Sequence, residues 1–118
     1  MKTIYYLATC DTCKRIIKEL ALPAEFEKRE IKQQEMTVKE LEALRELSGS
    51  YESLFSKRAK LYKERGLKNE QLSEDDYKRF ILEHYTFLKR PVIVNDEAIF
   101  IGNSAKVVAA AKSSIHGL

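Results

Sequence analysis

Cys10 and Cys13 are the only cysteines in the chain, and two residues separate them. A Cys-x-x-Cys pair placed where a strand hands over to a helix has a direct chemical consequence. The first thiol lies beside amides that have no intrahelical partner, at the positive end of the helix dipole, and both conditions favour thiolate. The second thiol, one turn further in, faces the same side and can form a disulfide without large backbone movement. Cys10 is therefore the candidate nucleophile, and Cys13 the candidate resolving thiol that attacks a mixed disulfide at Cys10. Lys14 and Arg15 add positive charge nearby while Asp11 opposes it, so residue types alone leave the thiolate fraction open. An inert pair is the plain alternative. A metal site would need further ligands, and His84 and His116 complete no recognised zinc spacing with the pair.

The elements that must position this pair are legible from periodicity. Thr3, Ile4, Tyr5, Tyr6 and Leu7 form an uncharged, β-branched and aromatic run that reads as a buried strand. After the cysteines, Ile16, Ile17 and Leu20 fall on one helical face. Pro23 is expected to end that helix, and residues 25–31 read as a shorter strand anchored by Phe26 and Ile31. Thr37 and Glu40 make a capping-box pattern ahead of Val38, Leu41, Leu44 and Leu47, with Gly49 as the stop. Tyr51, Leu54 and Phe55 suggest a short turn, and Gly66 a left-handed helix cap. Ser73 caps a further helix bearing Tyr77, Phe80, Ile81, Leu82 and Tyr85, with His84 in its apolar register. Residues 37–87 are thus expected to be entirely helical.

Pattern changes at Pro91. Residues 92–94 and 98–101 are strand-like runs separated by Asn95, Asp96 and Glu97, a hairpin signal. Asn103 or Ser104 then caps a final helix through Val107, Val108 and Ala111, leaving His116 in the tail. Strand, helix, strand, helical block, two strands, helix is the order of an α/β protein. The first two strands are joined in parallel by the cysteine helix, the last two form a hairpin, and the sheet has four strands of mixed direction.

With 118 residues there is room for one domain, so the helical block is expected to share its core with the sheet. A net charge of +3 is too small to demonstrate a nucleic-acid partner, and no direct nucleic-acid binding is expected. The group Lys57, Arg58, Lys60 and Lys63 suits either an acidic partner or a solvated helix. No run approaches the roughly eighteen apolar residues that cross a bilayer, and no signal-peptide arrangement opens the chain. A cytoplasmic location without membrane attachment is expected. Two cysteines also exclude a disulfide-rich scaffold.

A strand-Cys-x-x-Cys-helix unit at the start, with Lys89-Arg90-Pro91 before a strand hairpin, resembles the arsenate reductase/Spx family of thioredoxin-like proteins. The likeness runs over nearly the whole chain and is carried by residues 3–20, 54–67 and 88–103. It implies a single domain over 1–118, with a thioredoxin-like portion at about 1–35 and 88–118 and a helical insertion at about 36–87. It further implies a cis peptide at Pro91 facing Cys10, and an Arg90 guanidinium that binds an oxyanion or steadies a thiolate. Arg58, Arg90, Pro91 and Asn103 become the substrate-binding positions. The reductases carry arginine where this chain has Ser56 and Asn103, and each charged donor lost from an oxyanion clamp removes about 1.5 to 3 kcal/mol. Arg58 and the second cysteine resemble the Spx side.

The function so implied is thiol-disulfide chemistry, with Cys10 as nucleophile and Cys13 as resolver, on arsenate or another oxidised substrate. No bound cofactor or metal is expected. Reducing equivalents come from an external thiol system, either a thiol donor protein or a small thiol. The alternative is an Spx-like redox-sensing transcriptional regulator that binds the RNA polymerase alpha subunit, with Gly49 and the adjoining helix end in the contact region.

Overall fold

The uncharged run at the N-terminus forms β1 (Lys2–Tyr6), in which Thr3, Ile4 and Tyr5 are buried in succession. In the computed structural model, which describes residues 1–118, β1 is a central strand of a four-stranded sheet of order β2-β1-β3-β4. It pairs in parallel with β2 (Glu27–Glu30), from Thr3↔Glu27 to Tyr6↔Glu30. On its other side it pairs antiparallel with β3 (Val92–Asn95), which continues into β4 (Ala98–Ile101). A parallel pair needs a crossover, and α1 (Asp11–Leu20) supplies it. The hairpin needs a residue at positive φ, and Asp96 takes it at φ 56°. Its carboxylate meets Lys2 Nζ at 2.9 Å, fastening the turn to β1. The mixed four-stranded α/β sheet is the one expected from the sequence.

Two compact units make up the chain, Met1–Gln34 with Arg90–Leu118, and Glu35–Lys89. In the first, α1 and α5 (Ala105–His116) cover one face of the sheet. Ile16 and Leu20 from α1 and Val108 and Ala111 from α5 pack with Ile4, Phe26 and Ile93. Ser104, rather than Asn103, caps α5, its hydroxyl accepting the Val107 amide at 3.2 Å. Two expectations are corrected here. Helix α1 ends at Leu20 through Ala21, in the left-handed conformation at φ 48°, before Pro23 is reached. His116 is the last residue of α5 and not a free tail: its Nε2 lies 2.6 Å from the Leu20 carbonyl oxygen. That imidazole ties the end of one helix to the end of the other.

The second unit holds α2 (Val38–Ser48), α3 (Lys60–Glu64) and α4 (Glu74–Glu83). Both capping patterns form, Thr37 with Glu40 and Ser73 with Asp76. Gly49 closes α2 at φ 92° and donates its amide to Arg45 O. The Phe55 ring centres the core, 4.8 Å from Tyr77, 5.3 Å from Phe87 and 5.7 Å from Tyr62 between centroids. This unit is not helical throughout. Short 3-10 turns interrupt it at Glu52–Leu54, Leu67–Asn69 and Tyr85–Phe87, and Phe55 pairs with Leu88 in an isolated antiparallel bridge. His84 has left α4 in an extended conformation, and its Nδ1 accepts the Thr86 amide at 3.1 Å. It caps the next turn instead of joining the apolar face. No helix is long and apolar enough to cross a membrane.

The Thr37 box gives a direct check on local energetics. Its hydroxyl accepts the Glu40 amide at 3.1 Å, and the Glu40 carboxylate accepts the Thr37 amide at 3.1 Å. Thr37→Ala is expected to lower unfolding stability by about 1 kcal/mol in urea titration, with the exposed Lys39→Ala as the silent control. Equal midpoints for the two variants would show that the cap contributes nothing.

Candidate functional site

Between β1 and α1 the chain makes one tight turn, closed by the Cys10 amide donating to the Leu7 carbonyl at 3.0 Å. Cys10 follows in an extended conformation at φ −93°, ψ 111°, the N-cap of α1. Its carbonyl accepts the Lys14 amide at 3.2 Å, which commits the next residues to the helix. The Cys10 sulfur makes no aligned capping bond, yet the amides of Thr12 and Cys13 act on it as dipoles at close range. Cys10 is half-buried and Cys13 is fully buried, and both are free thiols.

These surroundings separate the two thiols chemically. Partial burial opposes ionisation of Cys10, but the Cys13 amide, the Cys13 thiol, the Thr12 amide and the Arg90 guanidinium together hold it below its ordinary value of 9.0. Burial pushes the Cys13 thiol up to about 11. The Leu7 amide and Arg90 oppose that rise, while the charge on Cys10 and the hydrogen bond that Cys13 donates to it add to it. One proton shared toward Cys10 by Cys13 therefore serves both effects. Of the two thiols, Cys10 is thus the first to ionise.

Arg90 and Pro91 complete the neighbourhood. The Arg90–Pro91 peptide is cis, Pro91 is buried, and its carbonyl accepts the Gly102 amide at 2.9 Å. Arg90 is half-buried, and its positive charge acts on both cysteines. Cys10, Cys13 and Arg90 are thus brought into mutual electrostatic range. Asn103 follows Gly102 in an exposed position at the end of β4. Arg58 belongs to the helical unit, exposed just before α3, and Ser56 there donates its amide to Phe87 O at 2.7 Å. No group of three or more His, Cys, Asp or Glu side chains gathers to hold a metal.

One residue of this neighbourhood is missing from the sequence reading. Glu30, the last residue of β2, accepts the Ala8 amide at 2.7 Å, the Lys32 amide at 2.5 Å and the Gln33 amide at 3.1 Å. Desolvation works against its charge, but those amides, in that order, hold its carboxyl below the usual range. In the sequence it is one more charge in a strand dominated by charges. The only signal is its position beside Ile31, where the strand stops and the chain turns.

A four-stranded mixed sheet with a Cys-x-x-Cys at the N-terminus of its first helix, and a cis-proline at the start of a neighbouring strand, defines a thioredoxin-like fold. Residues 5–111 match the model of the ArsC family, and the chain belongs to that family. Among curated relatives, the global transcriptional regulator Spx 2 of Bacillus anthracis is 27% identical over 107 residues, covering 86% of this chain and 79% of that protein. The global transcriptional regulator Spx of Bacillus subtilis (strain 168) is 26% identical over 106 residues, with 86% and 79% covered. Among solved structures, an arsenate reductase from Vibrio cholerae superposes with a TM-score of 0.77 at 22% identity, covering 93% of this chain and 96% of that one. That last likeness is one of fold.

Proposed function

We propose that this chain is a thiol-disulfide active protein of the ArsC family in which Cys10 attacks and Cys13 resolves. The observation that carries the reading is the opposite displacement of the two thiols, one toward thiolate at the helix N-terminus and one held protonated by burial. The Cys10 thiolate attacks one sulfur of a substrate disulfide; that bond breaks, a substrate thiolate leaves, and a mixed disulfide forms. Cys10 then carries no charge and accepts no hydrogen bond. Two of the influences that raise Cys13 are gone at that moment, which favours its ionisation when it is needed. Its thiolate attacks Cys10, expels the second substrate thiolate, and leaves a Cys10–Cys13 disulfide. Two electrons have passed to the substrate, and an external dithiol, taken from the cytoplasm, returns them.

Arg90 suits this chemistry by stabilising negative charge beside the attacking sulfur. With arsenate as substrate, the Cys10 thiolate forms a sulfur–arsenic bond as an arsenic-bound hydroxyl, protonated from solvent, leaves as water. The Cys13 thiolate then attacks Cys10, and that bond breaks with its electron pair going to arsenic, releasing arsenite and the same disulfide. Arg58, Pro91 and Asn103 are the further substrate-binding positions, with a neutral side chain at Asn103 weakening any oxyanion clamp. A second reading is favoured by the relatives named as Spx regulators and by the presence of Cys13 itself. There the disulfide controls binding to the RNA polymerase alpha subunit, through the end of α2 at Gly49, without turnover.

Both readings meet in one experiment. Reduced and oxidised protein, with Cys10→Ser as the control, are assayed for turnover of arsenate and of a small model disulfide with a dithiol donor, and for binding of purified alpha subunit. Turnover that depends on Cys10 supports the enzyme. Binding that differs between redox states and loses that difference in Cys10→Ser supports the regulator. Neither turnover nor redox-dependent binding would contradict both.

A further inference from the structure

We infer that Glu30 is a positioning residue for the nucleophile, acting through a single peptide unit; the inference rests on the reading of Cys10 as an activated thiol. The two carboxylate oxygens do different work. Oε1 accepts the Lys32 and Gln33 amides, two and three residues ahead, which locks the side chain onto its own turn. Oε2 reaches 22 residues back along the chain and accepts the Ala8 amide at 2.7 Å. The Ala8 N–H and the Leu7 C=O belong to the same planar peptide. That C=O is the acceptor for the Cys10 amide at 3.0 Å. A continuous relay therefore runs from the Glu30 carboxylate through the Leu7–Ala8 peptide to the backbone of Cys10.

A relay of this kind does two things. A carboxylate on the N–H side fixes the rotation of the peptide plane, and so the direction in which the Leu7 carbonyl receives Cys10. It also polarises the peptide, making that carbonyl a stronger acceptor. Held this way, Cys10 occupies the N-cap with its sulfur near the Thr12 and Cys13 amides. The preceding peptide is engaged too, since the Leu7 N–H points at the Cys13 sulfur. β-Sheet register explains why a side chain on β2 can do this: Glu30 lies opposite Tyr6, the last residue of β1, and the Ile31 amide bonds the Tyr6 carbonyl at 3.0 Å. The end of β2 is thereby fixed beside the turn that carries Cys10.

A carboxylate is required because both oxygens must accept. In Glu30→Gln one oxygen is replaced by an NH2 group, which confronts an amide donor on either the Ala8 side or the Lys32/Gln33 side. The shape is kept and the relay is broken. The pH midpoint for alkylation of reduced Cys10 is expected to rise by about one unit in Glu30→Gln, with alkylation near neutral pH slowed about tenfold at unchanged far-ultraviolet circular dichroism. A variant that is merely less stable, with the Cys10 midpoint where the parent has it, would overturn the inference while leaving the activated thiol intact. A parent midpoint at or above 9 would instead sink the activated thiol itself. Should Glu30→Gln fail to fold, the parent protein decides by NMR. The amide protons of Ala8, Lys32 and Gln33 are expected to follow one common carboxyl titration in acid, and an Ala8 proton that ignores it overturns the relay.

Discussion

Cys10→Ser is expected to abolish the thiol chemistry of this chain, lowering turnover of a model disulfide by about 10⁴-fold or more to the level of the donor alone. The reasoning is one of nucleophile identity more than of structure. A serine hydroxyl at the N-cap is well suited to the helix and can accept a first-turn amide, so the fold survives or is slightly stabilised. What disappears is the one sulfur that the Cys13 amide, the Thr12 amide and Arg90 favour as an anion. Cys13 cannot substitute, because it is fully buried and closed to an external substrate. Residual activity above a tenth of the parent would show that the attacking thiol is not Cys10.

Cys13→Ser should separate attack from resolution. The first step is still available, so a mixed disulfide between Cys10 and the substrate is expected to accumulate to nearly one equivalent, visible as an added mass that a reductant removes. Steady turnover with a slow external thiol should fall on the order of 10²-fold, because resolution becomes bimolecular and loses the advantage of a thiol held three residues away. The serine hydroxyl keeps a donor where Cys13 donates its hydrogen bond to the Cys10 thiolate, one of the influences lowering its pKa. The pH dependence of attack is therefore expected to change little. If no adduct accumulates while turnover persists unchanged, resolution does not pass through Cys13.

Much of this arrangement is written in local sequence signals. The Cys-x-x-Cys at a strand-to-helix junction, the capping box at Thr37 and the hairpin around Asp96 each depend on residues a few positions apart, and each forms as expected. What escaped the sequence reading depends on partners distant along the chain or on conformations that residue type disfavours. His116 finds the Leu20 carbonyl 96 residues away, a contact created only when α1 and α5 lie side by side. Ala21 accepts a left-handed φ of 48° with no glycine to announce it, so the first breaker visible in the sequence is Pro23, beyond the true end of α1. His84 fits the spacing of α4, but an imidazole that accepts the Thr86 amide ends the helix first. Glu30 was hidden for the same reason as His116: its task is defined by the Ala8 amide, a backbone group with no signature in residue type.

Cys10 and Cys13 are conspicuous as the only thiols in the chain, whereas Arg90 is marked only by the resemblance that Lys89-Arg90-Pro91 carries. The opposite pKa displacements of the two thiols could not be read from composition, since they arise from burial and from the direction in which two amides and one thiol point.

The most direct measurement is the thiolate absorbance of the reduced protein near 240 nm as a function of pH, with Cys10→Ser subtracted. A single ionisation below 9.0, absent from the variant, is the expected result. A Cys10 that ionises at or above 9.0 would contradict the assignment of an activated nucleophile at the head of α1.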